Sequence, residues 1–171
     1  MEIVEIGRLT AIQRLDLEGD EPDPFDVASL GPLDSRPKDI HMVLPGDDGR
    51  LVASVGMLTA EVEVDGADRF DVVGIGGVIV APDHRGRGLV RLVLSAALQR
   101  AATLGPDVAM LFCHERLAGL YEKAGFLTIP PPVRVMQETS IIEMPQQAMW
   151  RGLHNGAQWP PGRVLVRGLP F

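Results

Sequence analysis

The sequence predicts a mixed α/β (α+β) domain, a central mixed sheet carrying an antiparallel meander with helices packed beside it. Three observations carry that expectation. Three apolar stretches between residues 40 and 81 are separated by Gly/Asp turns, the pattern of strands joined by hairpins. A long apolar-striped segment then joins residues 70–81 to another apolar stretch at 107–113, which calls for a helical crossover between parallel strands. No internal repeat, low-complexity tract or second unit is visible, so residues 1–171 are expected to be one domain, long enough to bury a sizeable core.

The elements follow in order. "EIVEI" (2–6) reads as a short first strand. Residues 16–39 are rich in Asp, Glu, Pro and Gly, and Asp16, Glu18, Asp20, Glu21 and Asp23 crowd together. Prolines at 22, 24, 32 and 37 disfavour a long helix, so this stretch is expected to be a solvated connector. "IHMVL" (40–44), "RLVASVGMLTAEVEV" (50–64) and "FDVVGIGGVIVA" (70–81) are the meander, and the last is apolar enough for a central strand covered on both faces. The next segment is striped by Leu89, Leu92, Val93, Ala96, Ala97, Ala101 and Leu104, with Gly105 as its stop and Pro106 preventing continuation. "DVAMLFC" (107–113) is a strand, and "ERLAGLYEKAGF" (115–126) a second helix with Leu117, Leu120, Tyr121 and Ala124 on one face. Short β-like pieces broken by Pro and Gly fill the remainder.

Composition narrows the function. A net charge of −7 argues against non-specific nucleic-acid binding. The single cysteine, Cys113, has no disulfide partner in the chain, and no Cys/His cluster has zinc spacing, so no metal is expected. "MEIVEIGRLT" has neither a basic n-region nor a long apolar h-region, and no run of apolar residues is long enough to span a membrane. A soluble cytoplasmic monomer or small oligomer, such as a homodimer, is the expectation.

The chemistry concentrates at Arg85-Gly86-Arg87-Gly88-Leu89-Val90, between a strand and a helix. A helix N-terminus leaves backbone N–H groups unpaired and carries partial positive charge. Glycines at 86 and 88 let a ligand approach the backbone, and two arginines add donors suited to phosphate oxygens. The segment therefore reads as a diphosphate cradle. It lacks the Lys-Ser/Thr pair of a P-loop, and Gly74, Gly76 and Gly77 lie inside a strand rather than at a dinucleotide-binding turn.

Strand, Arg-Gly-x-Gly turn, long helix, strand and a helix carrying "LYEKAGF" together resemble the GCN5-related N-acetyltransferase (GNAT) superfamily. Its signature, Gln/Arg-x-x-Gly-x-Gly/Ala, is matched by Arg85 and Gly88, with Val90 at the last place. Over residues 40–171, "GIGGVIVAPDHRGRGLV", "AGLYEKAGF" and "WPPG" look like the branch of aminoglycoside 2′-N-acetyltransferases and nodulation acyltransferases. The resemblance implies acetyl-CoA as donor and a small-molecule amine, an amino sugar or aminoglycoside, as acceptor. It implies that backbone groups of Val78, Ile79 and Val80 meet the pantetheine arm, that Arg85 to Val90 hold the pyrophosphate, and that two parallel strands splay around the thioester. Tyr121, the only tyrosine, falls at the family's acid position. The branch's Glu in the central strand is replaced by Gly76, which leaves the general base open among His114, His84, Glu61 and Glu63, or no dedicated base. Cys113 reads as a small buried hydrophobe rather than an acyl-enzyme nucleophile. A longer acyl donor and a non-catalytic acyl-CoA-binding module are the alternative readings.

Overall fold

In the computed structural model, which describes residues 2–171, the meander forms as expected from β2 (Ile40–Pro45), β3 (Leu51–Val64) and β4 (Asp68–Val80). Ahead of it come β1 (Val4–Ile6) and α1 (Ala11–Glu18). After it come α2 (Leu89–Ala101), β5 (Val108–Cys113) and α3 (Ala118–Glu122). The tail supplies β6 (Leu127–Thr128), β7 (Val133–Met136), β8 (Ile141–Glu143), β9 (Gln147–Gly152) and β10 (Val164–Val166).

One mixed sheet holds all of the strands, in the order β6-β9-β5-β4-β3-β10-β7-β8, with β1 and β2 branching from β3. The length of β3 makes the branch possible. Its first half pairs with β2 and its second half with β10. The crossover through α2 makes β5 parallel to β4.

Alternation along the strands sorts the core onto two faces. Leu44, Val52 and Val80 face α2, whose Val93, Leu94 and Ala97 are buried against them. Their neighbours Val43, Leu51 and Ile79 face the other way, and Leu17 of α1 covers them. Among the described residues no helix is long and apolar enough to cross a membrane.

Three local expectations are corrected. The acidic segment is not merely a solvated connector, because its first residues complete α1. Thr10 and Gln13 cap that helix reciprocally, and Gly19 ends it before the prolines. Ile12 and Leu15 are exposed and only Leu17 is buried, so α1 carried almost no hydrophobic period to read. In α2 the buried stripe runs through Leu94 and Leu98 rather than Leu92, which is 54% exposed. The helix also stops at Ala101, ahead of Gly105, where tight-turn bonds from Thr103 and Leu104 take the last carbonyls. Finally, residues 115–126 are not one helix: a 3₁₀ turn (Glu115–Leu117) precedes the short α3, and Leu117 and Leu120 are exposed.

Candidate active site

β4 and β5 pair only from Val73–Ala109 to Ile75–Leu111. Beyond that point β4 runs on to Val80, and β5 runs on to Cys113 held by β9 on its other edge. The separation has a local cause. Ser54 lies opposite Ile79 but Gly56 lies opposite Gly76, so β4 carries one extra residue there. Such a bulge bends its strand and breaks the ladder. The strands part like a V, and the backbone of β4 past Gly76 has no β5 partner.

A cavity of about 1350 Å³ opens into the gap. Val78, Ile79 and Val80 form one wall, and Cys113, His114 and Tyr121 another. Arg85, Gly86, Gly88, Leu89 and Val90 close one end, so nearly all the predicted residues come to one space. Arg87 is the exception. It is exposed, is not among the residues lining the cavity, and donates to the carbonyl of Asp83 at 3.2 Å. Leu117 and Leu120, turned out from the core, also line the cavity.

The turn itself has the form the sequence suggests. A 3₁₀ turn (Pro82–His84) follows β4, and the chain then passes through Gly86 at φ +75° and Gly88 at φ +73°. Those left-handed conformations favour glycine. No atom lies within 4 Å of the place a Cβ would take at either residue. Gly88 is the N-cap of α2 and has no side chain to satisfy the first-turn amides. The result is an open, amide-lined bend at the positive end of a helix.

Arg85 is already engaged. Its Nε donates to the carbonyl of Val80 at 3.1 Å, and its two terminal nitrogens donate to both carboxylate oxygens of Glu21 at 2.7 and 2.6 Å. That hydrogen-bonded pair lowers the pKa of Glu21 and raises that of Arg85. Asp23 accepts from the amides of Ala28 and Val27, each at 2.8 Å, and those bonds hold its carboxyl below the ordinary range. Asp26 accepts from Arg116 at 2.8 Å. The acidic stretch is thus a strap along the cavity, tied to the glycine turn by one ion pair and to the end of β5 by another.

Tyr121 is 7% exposed and sets its ring edge-on to Phe126, with centroids 6.1 Å apart. Burial, reinforced by the neighbouring Cys113, pushes its phenol pKa up, so the group is held as a proton carrier. Burial also pushes the Cys113 thiol up to about 11, and its Sγ lies 3.8 Å from Met149 Sδ. A thiol in that state is a poor nucleophile near neutrality. His114 is half-buried, its Nε2 has no hydrogen-bond partner, and Asp26 Oδ2 is 3.8 Å away. His84 lines the turn end with Nδ1 likewise unpartnered. Glu61 and Glu63 lie elsewhere, on the half of β3 that pairs with β10, where they bind Arg167 at 2.9 and 2.7 Å.

Sequence reasoning missed Lys38, which stands on the cavity wall beside Gly76. Its signal was faint: one of only two lysines in the chain, with two distant glycines to receive it.

Comparison with known proteins bears on this arrangement. A family model described as an acetyltransferase (GNAT) domain matches residues 30–129. No curated protein matches the chain. Among solved structures, the chain is similar to the GNAT family N-acetyltransferase YhbS from Escherichia coli in complex with CoA. That similarity has 20% identity, TM-score 0.58, and 99% of this chain and 96% of the other covered. Escherichia coli ElaA gives 22% identity and TM-score 0.58 over 88% and 99% of the two chains. An acyl-CoA N-acyltransferase from Pseudomonas aeruginosa gives 23% identity and TM-score 0.56 over 88% and 98%. At such identities the likeness concerns the fold.

Proposed function

The chain belongs to the acetyltransferase (GNAT) domain family, and from that premise we propose that it acetylates a primary amine of a small molecule, with donor and acceptor bound together. It is an enzyme of the N-acetyltransferase class that uses acetyl-CoA. The observation that carries the reading is the V between β4 and β5, which opens into one cavity with both the glycine turn and Tyr121.

The residues fit the coenzyme. Gly86 and Gly88 leave room at the backbone, Arg85 supplies a guanidinium, and Val78 to Val80 offer an unpaired strand edge to an extended arm. Bound there, acetyl-CoA supplies an acetyl thioester whose sulfur departs as the carbonyl carbon bonds to nitrogen. Tyr121 holds a proton for that sulfur, because burial keeps its phenol protonated across the neutral range. Cys113 stays a thiol, which supports direct transfer over an acyl-enzyme. His114, with a free ring nitrogen, is placed to pass a proton between the cavity and Asp26.

For the acceptor, the reading takes an amino sugar or aminoglycoside, supported by "AGLYEKAGF" and "WPPG". It treats residues 1–171 as one domain, supported by β1 and β10 sharing a sheet with the matched strands. A cytoplasmic setting, no nucleic-acid or membrane partner, and a monomer or homodimer belong to the same reading.

The test is thiol release from acetyl-CoA across a panel of primary amines that includes amino sugars and aminoglycosides. Release with at least one amine is expected. If acetyl-CoA raises the melting temperature but no amine releases thiol, the protein is a binding module. Faster release from long-chain acyl donors would move it to the acyltransferases that use them.

The Arg85–Glu21 pair yields a second expectation. Arg85→Ala should weaken CoA binding by roughly 10-fold or more, the size of a charge-assisted hydrogen bond. Glu21→Ala frees the guanidinium and should tighten binding severalfold, and Arg87→Ala should matter less than Arg85→Ala. Calorimetric dissociation constants that do not move with Arg85 would remove it from the phosphate site.

A further inference from the structure

Two glycines face each other across the β3–β4 ladder, Gly56 and Gly76, at the level where β4 leaves β5. Neither has room for a side chain. A Cβ on Gly56 would lie 2.8 Å from Lys38 Cβ, and one on Gly76 would lie 2.7 Å from Lys38 Cε. Lys38 therefore crosses from β3 to β4 with its stem laid over both glycines, and it is one of the residues lining the cavity. Its amino end has one hydrogen bond, to the carbonyl of Arg36 at 3.3 Å.

The residue type matters. Of 16 basic residues only Lys38 and Lys123 are lysines, and the rest are arginines. A guanidinium keeps its proton at any physiological pH, whereas an ammonium group can release one. We infer that Lys38 is the proton acceptor for the incoming amine. Its neutral ε-amine takes one proton from the acceptor's ammonium group. The freed lone pair forms the carbon–nitrogen bond as the carbon–sulfur bond breaks and the sulfur takes the Tyr121 proton. The second proton of the nitrogen then restores the Tyr121 phenol, and the Lys38 ammonium returns its proton to solvent. This rests on the acetyl-transfer reading above.

The surroundings favour a neutral amine. Burial lowers the Lys38 pKa to about 8, within the range a general base needs. From β2, His41 approaches the same glycine, its Nε2 3.1 Å from the Gly56 Cβ position, and burial lowers its own pKa. The His41 Nδ1 is bonded to the carbonyl of Gly7 at 2.8 Å. On the segment of Lys38 itself, Arg36 and Asp39 pair with each other at 3.4 Å. The carboxyl group of Phe171, the last residue of the sequence, flanks Gly76, its carbon 2.8 Å and an oxygen 3.1 Å from the Gly76 Cβ position.

The experiment has two parts on the full chain. With lysine labelled at Cε, the spectrum holds two side-chain signals, of which the Lys38 signal is the one lost in Lys38→Met, and a pH titration without ligands should place Lys38 near 8. An ordinary Lys38 midpoint overturns the inference. Lys38→Arg keeps the charge but cannot deprotonate, and Lys38→Met keeps the stem. Both should lower kcat about 100-fold and lose the rise of kcat/KM with pH that is centred near 8 in the parent protein. Unchanged melting temperatures confirm that the variants fold, and an unfolded variant leaves the titration to decide. If Lys38→Arg retains activity, the site needs only a cation and the inference falls while acetyl transfer stands. If the parent protein releases thiol with no amine at all, the transfer reading fails and this inference fails with it.

Discussion

Tyr121→Phe is expected to lower turnover about 100-fold or more, the scale of losing a positioned proton donor, while CoA affinity stays within about twofold. The substitution removes one hydroxyl and keeps the ring. The edge-on contact with Phe126 and the burial in the core cluster therefore remain, and the melting temperature should hardly move. The effect belongs in kcat because in the proposed reaction the hydroxyl serves the departing sulfur rather than the bound nucleotide. Burial raises the phenol pKa, so Tyr121 stays protonated through neutral and mildly alkaline pH and adds no falling limb to the profile there. Thiol-release kinetics beside calorimetry make the measurement. A normal kcat would exclude Tyr121 as the acid, and a large change in CoA affinity would make it a binding residue.

Gly76→Glu should destabilise the sheet. A Cβ there falls 2.7 Å from Lys38 Cε and 2.8 Å from the backbone carbon of Phe171. Lysine's far end can swing aside, but the backbone of a buried residue cannot do so cheaply. Overpacking of this kind costs about 1–3 kcal/mol. At about 2–4 °C per kcal/mol for a chain of this size, the melting temperature should fall by roughly 2–12 °C. Activity should fall as well, since the new side chain displaces Lys38 or holds it in an ion pair that keeps it charged. A thermal melt with thiol-release assays checks both. A stable, fully active G76E protein would show that the slot is roomier than its neighbours imply and that Lys38 is dispensable.

These two expectations differ in how much of their basis can be read from residues alone. Tyr121 is legible because "LYEKAGF", following a strand-helix-strand unit, resembles the second marker of the family and carries the only tyrosine. The glycine turn was legible for the same reason: Arg85 to Val90 is a short stretch whose shape follows from glycine conformations and helix ends. Gly76 was noticed only as a missing carboxylate. What occupies its space comes from residues 38 and 171, and no local period links those three positions. Glu21 looked like one acid among several in a connector, although it grips Arg85 from 64 positions away. Helix α1 was overlooked because it buries one leucine and is defined instead by its Thr10–Gln13 cap.

By itself the sequence determined the meander, the crossover and the glycine bend. Each of these is written within a window of about one element, in periods of two or 3.6 residues and in turn chemistry. Only the tertiary structure decided where β4 parts from β5, that the acidic strap ties down Arg85, and that Lys38 lies over the paired glycines. Those outcomes depend on strand register and on a one-residue bulge between Ser54 and Gly56. Register is fixed by the packing of the whole sheet, so a single strand read alone does not contain it.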